Sequence, residues 1–148
     1  MKNLETLVVF NSNNQVIHIN MKDVSHEDSL IAPDKGGNCI NWILGHIIAS
    51  RDDVFEVLGV DKYCSKEFFS LYGRGQKSFS NEKAIHIEDL LEKLDSTLQK
   101  LEDAISEADF EDKEEDLRHL AFLGFHEAYH CGQIGILRRI IGKPGAIS

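Results

Sequence analysis

The chain has 148 residues, 42% of them hydrophobic, and a formal net charge of −9, which suits one domain spanning 1–148 with a core of ordinary size. The acidic balance argues against nucleic acid as a partner, because phosphate binding wants a basic face, and no apolar run approaches the length of a membrane span. Three scattered cysteines, Cys39, Cys64 and Cys131, fit reduced thiols in a cytoplasmic protein better than a disulfide framework.

At the amino terminus Glu5 stands where a signal peptide would carry its apolar run. Leu4, Leu7 and Val8 begin a helical pattern, which Asn11-Ser12-Asn13-Asn14 interrupts. A helix over roughly 2–22 is expected, with a strand-like stretch at Val16–Ile19 as the alternative. Pro33-Asp34 and Gly36-Gly37 mark 25–37 as a connection. Asn38 is a suitable N-cap for the next helix, where Ile40, Ile43, Leu44, Ile47, Ile48, Val54, Phe55 and Leu58 keep amphipathic spacing. Gly59 sits where a helix ends.

Residues 61–81 form a long excursion with a short helix expected over Lys66–Leu71 and a loop over 72–77; connections of this length are often functional. A third long helix is expected from His86 to Ser106, with Leu90, Leu91, Leu94, Leu98, Leu101 and Ile105 inward. An acidic linker, Ala108–Glu115, leads to the last helix, Leu117–Ile141. That helix is apolar around much of its circumference, which predicts deep burial; Arg138, Arg139 and Lys143 complement its dipole. Four long helices without a convincing strand predict an all-α four-helix bundle, with the long connection between its second and third helices.

The last helix carries His126-Glu127-Ala128-Tyr129-His130. Histidines four apart lie about 40° apart around a helix and roughly 6 Å apart along it, so both imidazoles reach one divalent cation. The string also reads H-E-x-x-H, the zincin protease signature. A zincin takes its third ligand from downstream, however, and 131–148 contains no His, Asp or Glu. The third protein ligand of a metal must therefore come from upstream. His119 is about 10 Å away along the helix, too far to share the ion, and is expected to face solvent or to be hydrogen-bonded. His18 and His26 lie in poorly patterned sequence, and His86 at a helix start. His46, on the flank of the apolar stripe of the second helix, faces a neighbouring helix and is the best placed.

Other residues bear on the same chemistry. Glu127 points about 100° away from His126; it is a candidate catalytic base or ligand-supporting carboxylate, against the alternative of a solvated or helix-packing carboxylate. Gln133 shares the face of His126 and His130, and either lines the site or packs. Cys131 is expected to be a buried small residue rather than a nucleophile, and Trp42 a core residue. Arg74 and Lys77, flanked by glycines, are candidates for holding an anionic substrate, with an ordinary turn as the alternative.

The segments Gly37-Asn38-Cys39-Ile40-Asn41-Trp42-Ile43-Leu44-Gly45-His46-Ile47 and His126-Glu127-Ala128-Tyr129-His130-Cys131-Gly132-Gln133-Ile134 resemble the DinB-like (DinB/YfiT) family. The resemblance implies a four-helix bundle, usually a homodimer, in which a histidine of the second helix and the H-x-x-x-H pair of the last hold one divalent metal. Matched here, these are His46, His126 and His130. Relatives include thiol-dependent S-transferases and isomerases. Three imidazoles accept zinc, nickel, iron or copper and leave open positions where the ion activates a thiol or water. The expected function is metal-dependent activation of a low-molecular-weight thiol or water for attack on a small molecule, of S-transferase or hydrolase type. The alternative is a non-catalytic metal-binding or stress-associated bundle.

Overall fold

A computed structural model describes residues 3–147 of the chain, and among these every regular element is helical. The helices are α1 (Leu4–Met21), α2 (His26–Ser29), α3 (Ile40–Val57), α4 (Lys66–Tyr72), α5 (Ile87–Glu107) and α6 (Glu114–Ile140). The four long ones make the expected all-α bundle. Around it the order is α1, α6, α3, α5, each helix packing on its two neighbours, so α1 lies diagonal to α3 and α5 to α6.

Two apolar clusters show which way each helix runs. At one end Ile17 and Met21 of α1 meet Ile40–Ile48 of α3, Leu90 and Leu94 of α5, and Ile134 and Leu137 of α6. At the other, Leu7 and Phe10 meet Val54, Phe55, Leu101, Ile105, Leu120 and Leu123. Hence α3 and α5 run parallel, and both run against α1 and α6. Consecutive parallel helices need a connection that climbs the whole bundle, about 27 Å for an eighteen-residue helix. This explains why the α3–α5 excursion is long, and why α4 within it reaches back onto α3.

Between the clusters lies a polar layer. Arg51 of α3, 1% exposed, donates from Nε and Nη2 to the two carboxylate oxygens of Glu127 on α6, at 3.0 and 2.9 Å. Its Nη1 donates to the Leu94 carbonyl and Thr97 Oγ1 of α5, and Nη2 also to Asn14 Oδ1 of α1. One guanidinium thus ties all four helices. Asparagine weakens helices by offering its backbone competing local bonds. Here Asn13 instead donates to the Gly124 carbonyl and Asn14 to Asp95 Oδ1. With those side chains bonded to other helices, α1 passes unbroken through the asparagine run, and the strand-like alternative at Val16–Ile19 gives way. Residue 2 of the expected helix lies outside the described residues.

Other boundaries differ in detail. The 25–37 connection contains α2, closed by a capping box in which Ser25 and Asp28 bond reciprocally. The residue capping α3 is Cys39, not Asn38; its extended backbone leads in without a side-chain bond. α6 starts at Glu114, so the last two acids of the expected linker sit in its first turn, where the dipole favours them. Gly59 and Gly142 end α3 and α6 with positive φ, as their positions predict. Arg138 serves another helix as well: it donates to the Asn20 and Lys22 carbonyls at the end of α1 and to the Pro144 carbonyl.

The largest departure is α6. Leu120, Leu123, Glu127, His130, Ile134 and Leu137 turn inward, but Phe122, Phe125, Tyr129, Ile136 and Ile140 are each more than half exposed. A helix apolar on every side buries only the face its bundle neighbours cover. Among the described residues no helix is long and apolar enough to cross a membrane.

Candidate metal centre

His46 is the seventh residue of α3, and its exposure is only 4%. Two neighbours hold its ring. The Nδ1 nitrogen lies 2.9 Å from the Tyr72 carbonyl; a carbonyl only accepts, so Nδ1 carries the proton and Nε2 is left bare. Trp42, one turn earlier, stacks on the imidazole with centroids 4.7 Å apart. Gly45 makes the arrangement possible, since a Cβ there would overlap the Tyr72 ring. Tyr72 is itself fixed: its hydroxyl donates to Asn41 Oδ1 and accepts from the Ile85 amide, and Asn41 donates to the Ile85 carbonyl.

On α6, His126 and His130 stand on successive turns with their Nε2 atoms 3.1 Å apart. His130 Nδ1 donates to Gln133 Oε1 at 2.6 Å, which again leaves Nε2 bare. The His46 ring packs edge-on to both, with centroids 5.6 and 4.9 Å away. One nitrogen from each of the three rings lies within 4.8 Å of the others. Such partners on the far ring nitrogen are how metal-ligating histidines are oriented.

Electrostatics favour the neutral, ligating form. Burial lowers the His46 pKa to about 4, against the opposing Tyr72 hydrogen bond. Burial likewise lowers His126, with the His130 charge adding to it, and lowers His130 against the opposing Gln133 bond. At neutral pH the three imidazoles are uncharged, and the 3.1 Å contact between the His126 and His130 Nε2 atoms is a hydrogen bond that a cation would replace. The donor set fits a divalent ion that accepts nitrogen ligands.

The group opens on a pocket of about 250 Å³, just under the range of about 300–1,000 Å³ usual for small-molecule sites. His46, Ala49, Ser50 and Asp53 form one wall, Phe122, Leu123 and His126 another, and Phe69, Gly73 and Arg74 close it. Partial burial raises the Asp53 carboxyl pKa from its ordinary value, opposed by Lys62.

The other residues singled out in the sequence fall as follows. Glu127 is not brought to the histidines or the pocket; it is 4% exposed and engaged by Arg51 through both oxygens, the helix-packing placement. Lys77 is exposed and off the pocket wall. Cys131 is buried, bonds the Asn13 carbonyl, and burial pushes its thiol up to about 12, so it is no nucleophile. His119 is exposed, His18 pairs with Asp95 at 2.7 Å, and His26 stacks on His86.

Four contributors had not been picked out from the sequence. Ser50 and Asp53 lie four and seven residues after His46, a spacing that puts them on its face. Arg51 stands in the charged run Arg51-Asp52-Asp53, which reads as a solvated face, so its burial leaves no signature in the sequence. Tyr72 acts through its main-chain carbonyl, which leaves no side-chain signature.

No curated protein and no solved structure matches the chain. A family model does: with the three histidines and their pocket inside the match, residues 13–134 fit the model of the DinB superfamily, and the chain belongs to that superfamily.

Proposed function

We propose that the protein is a metal-dependent enzyme that uses His46, His126 and His130 to hold one divalent ion and activates a small thiol or water for attack on a small molecule, as an S-transferase or hydrolase does. The observation that carries this reading is that two of the three histidines, His46 and His126, themselves line the pocket. A purely structural ion would be closed off by its ligands. When bound, the ion supplies Lewis acidity that lowers the pKa of a thiol or water reaching it. The chain's part is to hold the imidazoles neutral and aimed, through Tyr72, Trp42 and Gln133, and to give the pocket apolar walls with Phe69, Phe122 and Leu123. Glu127 serves as a positioning residue, fixing the register of α6 through Arg51. Three free cysteines fit the reducing cytoplasm, where a low-molecular-weight thiol is abundant.

Metal content measured on untagged protein, beside a His126→Ala/His130→Ala variant, tests the reading. About one equivalent in the native protein and none in the variant is expected, followed by metal-dependent turnover in a thiol-transfer or ester-hydrolysis screen. Absence of metal after reconstitution sinks the proposal. Stoichiometric metal with no turnover leaves the other reading, a non-catalytic metal-binding bundle.

We also propose that the chain pairs with a second copy through the outer face of α6. Phe122, Phe125, Tyr129, Ile136 and Ile140 form an exposed apolar row, and a row of this kind marks an interaction surface. A two-fold axis across it would cover both rows at once. Light scattering that reports a monomer at micromolar concentration removes this proposal.

A further inference from the structure

The pocket carries two charges besides its histidines, one of each sign: Asp53 on the α3 wall and Arg74 on the segment that closes it. Asp53 lies seven residues after His46 on the same face of α3, about 10 Å along the axis, with Ala49 and Ser50 between them. Arg74 reaches the pocket from the turn after α4, and the backbone there is built for the purpose. The Gly73 amide bonds the Phe69 carbonyl and the Gln76 amide bonds the Gly73 carbonyl. A Cβ on Gly73 would collide with the Phe69 carbonyl and ring, and Gly75 takes a positive φ of 76°. The same turn begins at Tyr72, whose carbonyl orients His46, so Arg74 and the metal histidine are held by one rigid segment.

Both side chains are exposed at the pocket, and Lys62 acts on Asp53 without forming an ion pair with it. Among the described residues Arg74 pairs with no carboxylate and Asp53 with no cation. By contrast the buried Arg51 is saturated by Glu127, Leu94, Thr97 and Asn14, and the buried Arg138 donates to three backbone carbonyls. An unpaired guanidinium and an unpaired carboxylate sharing a small pocket with apolar walls form a recognition pair.

We infer that the ligand taken at this site is a small amino-acid-like zwitterion, whose reacting group meets the metal while Arg74 takes its carboxylate and Asp53 its ammonium. The inference rests on the proposed metal centre and names the class of substrate or co-substrate it serves. Lys77, the other cation of that loop, lies off the pocket wall and has no part in it. Arg74 and Asp53 are specificity residues; neither holds the ion.

The test uses metal-loaded full-length protein and three hydroxamates that share one metal-binding head. Acetohydroxamate has no charged tail, succinate monohydroxamate adds a carboxylate, and aspartate β-hydroxamate adds a carboxylate and an ammonium. Affinity is read by calorimetry and from the visible spectrum of cobalt-substituted protein. Expected is a gain of about tenfold for each added charge, in line with charge-assisted hydrogen bonds near a surface. Arg74→Gln should erase the carboxylate step alone and Asp53→Asn the ammonium step alone, with metal content unchanged in both. Equal affinity for the three hydroxamates, or steps that survive the two substitutions, overturns the inference and leaves the metal centre standing. A protein that takes up no metal overturns the metal centre itself, and the inference falls with it.

Discussion

Two polar clusters sit side by side on the same pair of helices and are built on opposite rules. Arg51 and Glu127 meet with every hydrogen-bonding group satisfied, in a pair tied to all four long helices. His46, His126 and His130 meet with one ring nitrogen each turned on the others, in contact with neutral partners only, at the edge of a pocket. A buried charge must be paired or it is ruinous, so the first cluster is closed. Neutral imidazoles tolerate partial burial without charged partners, so the second remains open to a cation. The contrast separates what holds the bundle from what the bundle holds.

The sharpest way to break that contrast is to break the closed cluster. Arg51→Met leaves Glu127 buried and unpaired, and should cost about 3–5 kcal/mol in urea unfolding. The double variant Arg51→Met/Glu127→Met should recover most of that loss, since a well-packed apolar pair is often no worse than a buried ion pair. A single variant that unfolds like the native protein would show that Glu127 is not committed to Arg51.

For the open cluster the strain lies in pH. In metal-free protein the folded His46 has a pKa of about 4, below the ordinary 6.5, so between these values the unfolded chain binds a proton that the folded one refuses. Stability therefore falls as pH drops from about 6.5 towards 4, by roughly 3 kcal/mol at about 1.4 kcal/mol per pH unit. His46→Phe should flatten that slope. Melting temperatures of chelated protein across this range check it, and a flat native profile would mean that the imidazole is not desolvated.

Gly45→Ala joins the two regions, since α3 carries both His46 and Arg51. The added Cβ overlaps the Tyr72 ring, and overpacking of this kind costs about 1–3 kcal/mol. Tyr72 should move, taking its carbonyl from His46, so metal affinity should drop more than tenfold. Retained affinity would show that His46 is oriented by Trp42 alone. The smallest effect on the fold is expected from Phe125→Ser, a 66%-exposed residue. Monomer stability should change by about 0.5 kcal/mol or less, while sedimentation should show weakened pairing if the outer face of α6 is an interface.

Much of this was legible in the chain. The apolar periods of 40–58 and 87–105 give α3 and α5, the glycines at 59 and 142 give the stops of α3 and α6, and the i, i+4 spacing alone puts His126 and His130 on one face. These are consequences of local helical geometry, which depends on residues within a turn or two of one another. The family motifs brought His46 to the same group.

What only the tertiary structure decided depends on contacts between residues far apart in the chain. Glu127 lies beside His126 in sequence, yet its carboxylate belongs to Arg51, 76 positions away. The Tyr72 carbonyl that leaves one His46 nitrogen bare comes from a connection made long by two parallel helices. Whether the apolar outer row of α6 is buried depends on how many neighbours the bundle gives it, and α6 has two, α1 and α3. Periodicity tells which residues share a face; which partner occupies that face is decided by packing, where burial and charge pairing act across the whole fold.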